Sequence, residues 1–273
     1  MTILRDITCP KPAKFSERGH RGKFDASKHD AAYARRLIEE DRFGRLFIAD
    51  WTEVVFLHFE VEPDLLQRVV PIPLDLREGR AFVSLVAFTL RGMRFSRGGI
   101  ATRWLTAPIA THQFFNLRTY ARFRGEAGIY FMSEWLNNRL AVALGPGTYG
   151  LPYRNASIKY TNTLPEVSGE VATDKAEFRY RGKGELAPQP VMENSLDEFL
   201  VERYTAYAGE GGTLKRFRIW HEPWRVNALK EVEWQDDALI NGLGAWAANM
   251  SLVGAHQSAG VIDVWMGPPV SVQ

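Results

Sequence analysis

Cysteine is nearly absent from this chain. Cys9 stands alone among 273 residues, which excludes an intrachain disulfide and fits a reducing, cytosolic setting. No apolar run approaches the roughly 18–20 residues needed to span a bilayer. The opening MTILRDITCPKPAKF lacks the basic-then-apolar order of a secretion signal. A cytoplasmic protein with no membrane partner is therefore expected. Surplus charge is scarce too: 34 Lys and Arg stand against 32 Asp and Glu, too even a balance to argue for a nucleic-acid partner. The common catalytic signatures are missing, with no phosphate-binding P-loop, no Gly-x-Ser-x-Gly elbow and no His-Glu-x-x-His pair. The 6 histidines are scattered, so neither a metal nor a cofactor is expected.

What remains is rich in β character. Hydrophobic residues make up 45% and aromatics 12%, a composition that favours strands around a well-filled core. TEVVFLHFEV, RAFVSLVAFTLRGM and the pair HQFFNLRTYARF and IYFMSEWL, joined at RGEAG, read as strands. PDLLQRVVP fits two helical turns between Pro63 and Pro71. NNRLAVALGPG suits a short helix stopped by Gly-Pro-Gly, SLDEFL a helix capped by Ser195, and LRGMRFSRGGIATRWL a long loop. Residues 1–44 differ in texture: they form a basic arm ending in a helical stretch, DAAYARRLIEEDRF, with Tyr33, Leu37 and Ile38 on one side. The expectation is an arm over 1–44 and one domain over 45–273, α+β but mainly β, with a few short peripheral helices. So many strands need closure into a barrel or a second packed layer.

Side-chain parity supplies candidate site residues. In FFNLRTYARF, alternation puts Asn116, Arg118, Tyr120 and Arg122 on one face. That face is either solvated or a polar barrel interior. In the second case Arg118 is a planar donor for a carboxylate and Tyr120 a proton donor beside it. Glu134 shares its parity with Tyr130 and Met132. Turned inward it would meet Arg118; turned outward it is a solvated acid. His221, between two tryptophans in RIWHEPW, is either a general base or a structural histidine in an aromatic corner, and His256 in GAHQSAG is equally open.

EPDLLQRVVPIPLDL, FNLRTYARFRGEAGIYFMSEWLNNRLAVALG, YGLPYRNA, WHEPW and HQSAGVIDVW occur in order between Trp51 and Met266. This ordered set resembles the YqjF-like family of uncharacterised bacterial proteins, which in turn resembles acetoacetate decarboxylase. The resemblance implies a closed, cone-like β-barrel with a site inside. In the decarboxylase a Schiff-base lysine and a neighbouring lysine follow a proline. After Pro152 this chain has Tyr153 and Arg154 in those places. A phenol forms no iminium, so the resemblance carries over the pocket and not the reaction. Related chains place histidine just after the Pro-Tyr pair, where Arg154 and Asn155 stand here.

The expected pocket wall is thus Arg118, Tyr120, Tyr153, Arg154 and Asn155, around an anionic or carbonyl-bearing small molecule. One alternative is a lysine-independent lyase, hydratase or aldol-type enzyme, with Tyr153, Glu134 and His221 as candidate catalytic groups. Another is a structural or interaction protein with a filled barrel, homo-oligomeric through its arm.

Overall fold

The computed structural model describes residues 30–98, 102–209 and 213–272. Most of the expected arm, residues 1–29, lies outside the described residues. The first helix, α1 (Ala31–Glu40), is capped by Asp30, whose carboxylate accepts from Tyr33 N at 2.6 Å. Its buried stripe is Ala34 and Ile38, four residues apart, packed on Tyr204, Trp220 and Trp265. Of the side expected from the sequence, Ile38 is buried, whereas Tyr33 and Leu37 are only partly covered.

The elements then run β1 (Phe47–Val61), α2 (Pro63–Gln67), β2 (Ala81–Phe95), α3 (Arg103–Thr106), β3 (His112–Phe123), β4 (Glu126–Leu136) and α4 (Arg139–Tyr149). Next come β5 (Tyr153–Asn155), β6 (Ser157–Thr161), β7 (Glu166–Ala172), β8 (Glu177–Gly184), β9 (Gln189–Pro190) and α5 (Leu196–Val201). The chain closes with β10 (Thr205–Ala208), β11 (Lys215–Trp220), β12 (Arg225–Asp237), β13 (Ser251–Met266) and β14 (Val270–Ser271).

Several expectations shift in detail. The long loop after Leu90 begins as strand, because β2 continues to Phe95. Helix α4 runs through Pro146 and ends at Tyr149, where Gly150 takes the left-handed conformation with φ 75°. The Gly-Pro-Gly stop expected from the sequence is thus one turn early. Ser195 does cap α5, accepting from Glu198 N at 3.0 Å.

Strands β1 to β4 pair antiparallel in succession. The first half of β4 pairs parallel with β10, and β10 pairs antiparallel with β11. β11 meets the end of β13 at Ile219–Met266 and Trp220–Trp265, and β13 returns to β1. These seven strands close into a ring. From β13 the sheet also continues outward through β12, β8, β7 and β6.

The result is two cores sharing the same strands. Even residues of β2 (Phe82, Val86, Phe88) face the ring interior, and odd ones (Val83, Leu85, Ala87) face the second layer. Burial on both faces explains why β2 reads as a continuous apolar run rather than an alternating one. No described helix is long and apolar enough to cross a membrane.

Candidate functional site

Where the ring interior is not filled by aromatic rings, it holds a cavity of about 80 Å³. Four of the expected residues line it: Arg118 from β3, Glu134 from β4, Tyr153 from β5, and His221 from the turn after β11. Asn116, Trp51 and Arg203 line it as well. The volume is well below the roughly 300–1,000 Å³ of drug-sized pockets, which restricts an occupant to a few heavy atoms. A larger concavity of about 700 Å³ opens on the outer face of β6, β7, β8 and β12. Both arginines on its lining are already paired, Arg181 with Glu233 and Arg179 with Glu177 and Glu170.

Arg118 is 8% exposed, and among the described residues no carboxylate pairs with it. Its Nη2 donates to Leu200 O at 3.4 Å, its guanidinium lies 5.6 Å from the centre of the Phe56 ring, and its Nε is buried without a partner. Burial lowers its pKa, with the Tyr120 hydroxyl partly offsetting the effect. Arg203 enters from the end of α5. Its Nη1 reaches Asp75 Oδ2 at 3.2 Å, while its Nη2, on this cavity-lining residue, has no partner. Trp51 Nε1, Asn116 Oδ1 and Glu134 Oε2 are likewise buried and unpartnered. Buried polar atoms are nearly always hydrogen-bonded. Five such atoms around one cavity are what a site built to hold a polar molecule presents.

Glu134 points inward for a reason that parity alone misses. The β3–β4 register slips between Leu117–Ser133 and Arg118–Phe131, so Met132 is an extra residue in β4. Past this bulge Glu134 lies on the same side as Phe131 and Ile129 rather than Tyr130 and Met132. No cation compensates it, and burial pushes its pKa up to about 8. Glu134 and Arg118 share the cavity without forming an ion pair.

Beside Glu134, its register partner on the parallel strand β5 is Tyr153. Gly145 of α4 admits the ring: a Cβ there would sit 2.0 Å from Tyr153 Cε2. Burial first, then the Glu134 and Tyr149 neighbours, raise the Tyr153 pKa well above the usual phenol range. His221 donates from Nδ1 to Glu222 O at 2.8 Å and sits among Trp51, Tyr204 and Trp224. Burial lowers its pKa to about 4, so the imidazole is neutral near pH 7.

Three expected wall residues are not on the wall. Tyr120 is buried behind it, with its hydroxyl engaged by Ser84 and donating to Leu200 O at 2.7 Å. Arg154 and Asn155 are exposed. Alternation turns Arg154 away from Tyr153, and Asn155 lies beside Leu136, beyond the cavity, where its Nδ2 donates to Leu136 O at 3.1 Å.

The family model for DUF2071, an uncharacterized conserved protein, matches residues 48–261. The chain belongs to the DUF2071 family. This DUF2071 chain is 32% identical over 190 residues to the uncharacterized protein YqjF of Bacillus subtilis (strain 168), a match covering 67% of this chain and 76% of YqjF. Among solved structures it resembles acetoacetate decarboxylase from Legionella pneumophila, with TM-score 0.59, 14% identity, and 84% and 87% of the two chains covered. An acetoacetate decarboxylase-like enzyme from Sphingomonas wittichii RW1 gives TM-score 0.61 at 14% identity, covering 84% and 93%. The enduracididine biosynthesis enzyme MppR complexed with pyruvate gives 0.59 at 12%, covering 84% and 90%. These structures establish an acetoacetate decarboxylase-like fold. Among the described residues of the DUF2071 chain, no lysine lines the cavity and no group of three or more His, Cys, Asp or Glu could hold a metal.

Proposed function

We propose that this protein binds a small carboxylate inside the ring, with Arg118 as the fixed cation. The observation that carries this reading is a buried guanidinium with no counter-anion, facing a cavity with four other unpartnered polar atoms. A buried charge without a partner costs several kcal/mol, and a bound carboxylate offsets that cost through charge-assisted hydrogen bonds. Arg203 Nη2 and Trp51 Nε1 are further donors. The roughly 80 Å³ of space suits an acid of two to four carbons. Pyruvate, the molecule bound by MppR, is of this size.

The test is thermal stability against formate, acetate, pyruvate and the uncharged acetamide. The acids raise Tm in the wild type and not in Arg118→Met, and acetamide does neither. No shift with any acid favours the filled-barrel reading.

A second reading rests on the Glu134–Tyr153 pair. A carboxyl with a pKa of about 8 is protonated at neutral pH and can donate to a carbonyl oxygen. Beside an anion held by Arg118, it is placed to polarise a carbonyl without any lysine. This lysine-independent enzyme predicts turnover of small oxo acids that is lost in Glu134→Gln and in Tyr153→Phe. Binding without turnover leaves the first reading alone.

A further inference from the structure

The unpartnered atoms around the ring cavity differ in what they require of an occupant. Arg118 Nε, Arg203 Nη2 and Trp51 Nε1 each carry hydrogen and can only donate. Asn116 Oδ1 can only accept. A carboxylate, which has acceptors alone, serves the first three and gives nothing to the fourth. An oxo group beside it is a further acceptor and changes nothing for Asn116. An occupant that satisfies this wall therefore brings a proton to donate as well as its negative charge.

Strand register shows where that proton goes. Asn116 and Glu134 stand directly opposite each other on β3 and β4, which puts their Cβ atoms roughly 4.5–5.5 Å apart. Arg118 follows two residues along β3 on the same face, its Cα roughly 6.5 Å further on. The other neighbours of Asn116, Val86 on β2 and Phe114 two residues back, are apolar. Arg118 and Glu134 are thus the polar side chains next to Asn116, yet Arg118 Nε, Asn116 Oδ1 and Glu134 Oε2 all lack partners. Three adjacent residues with open polar atoms frame one gap in the cavity.

A hydroxyl fits that gap, because one oxygen both donates and accepts. Its proton goes to Asn116 Oδ1. Its lone pairs accept from Glu134, which burial keeps protonated at neutral pH with a pKa of about 8. An ammonium would donate too, but it sets a second cation beside Arg118.

We propose that the acid held in this cavity carries a hydroxyl group and that Asn116 selects it, Oδ1 accepting the hydroxyl proton while Arg118 holds the carboxylate. The inference rests on the carboxylate-site reading above and narrows its ligand class to short hydroxy acids.

Isothermal calorimetry on the full chain at neutral pH tests this with propionate, pyruvate, D-lactate, L-lactate and 3-hydroxypropionate. Pyruvate and lactate share their size and carboxylate, and differ in whether the second group only accepts or also donates. The expected result is a hydroxy acid that binds about tenfold more tightly than propionate or pyruvate. The lactates and 3-hydroxypropionate show which carbon bears the hydroxyl. In Asn116→Leu, a change of similar size, the preference disappears and the acids bind alike. Hydroxy acids that bind wild type no more tightly than propionate or pyruvate overturn the selection and leave the carboxylate site standing, a result that needs no variant. A preference that survives Asn116→Leu puts the hydroxyl on another group and overturns the assignment to Asn116. Absence of binding by every acid removes the carboxylate site and the selection together.

Discussion

Glu134 and Tyr153 are register partners on neighbouring parallel strands, and both line one cavity. Neither has a cation to stabilise its anion, so each is held in its neutral form by burial.

This gives stability a definite pH dependence. Glu134 titrates near 8 in the folded chain, against an ordinary value of 4.5. Between those values the native state holds a proton that the unfolded chain releases, so stability falls as pH rises through the window. The loss approaches a limit on the order of 5 kcal/mol above pH 8. Glu134→Gln keeps the shape and removes the titration. Urea unfolding across this range is expected to show a flatter profile for the variant, and greater stability than wild type at alkaline pH.

Arg118 is expected to trade stability for binding. Replacing an unpaired buried charge by an apolar side chain of similar length removes a desolvation cost. Arg118→Met should be at least as stable as wild type, by up to about 2 kcal/mol, and insensitive to added acetate. Denaturant midpoints measured with and without acetate check both statements.

Asp75 behaves in the opposite way. It accepts from Arg122 at 2.9 Å and from Arg203 at 3.2 Å, and both Asp75 and Arg203 are buried. Asp75→Asn leaves Arg203 without its counter-charge, at an expected cost of roughly 3–5 kcal/mol. A far smaller loss in urea unfolding would mean that Arg203 finds another anion or reaches water.

Gly145 and Tyr153 should be energetically coupled. A methyl at Gly145 overlaps the Tyr153 ring, so Gly145→Ala should cost about 1–3 kcal/mol. In a Tyr153→Ala background the same change should cost much less. A double-mutant cycle is expected to give a coupling above roughly 0.5 kcal/mol.

Most strands and their order along the chain were legible because apolar runs and turn residues mark them directly, although β7, β10 and the first half of β13 were not. The family was legible through the resemblance of several motifs in order. Parity along β3 puts Arg118 with Asn116 and Tyr120 but left that face either solvated or inward, and the structure turns it inward. Glu134 was reached with the wrong neighbours, because an extra residue at Met132 reverses the alternation and no local pattern signals the bulge. Arg154 and Asn155 were placed by analogy with a motif, yet only Tyr153 of that strand reaches the cavity. Arg203, at the end of α5, and Trp51, on β1, line the cavity by tertiary placement, which spacing does not encode.

β5 is not a member of the closed ring; it pairs parallel with β4 alongside, beyond the stretch that β10 occupies. Arg118 and Glu134 therefore sit on structural staves, whereas Tyr153 sits on a short strip hydrogen-bonded along the edge of one. Residues on staves are constrained by closure, but the strip can exchange its side chain without reopening the vessel. A change of side chain at position 153 therefore leaves the strand pairing of all seven staves as it was.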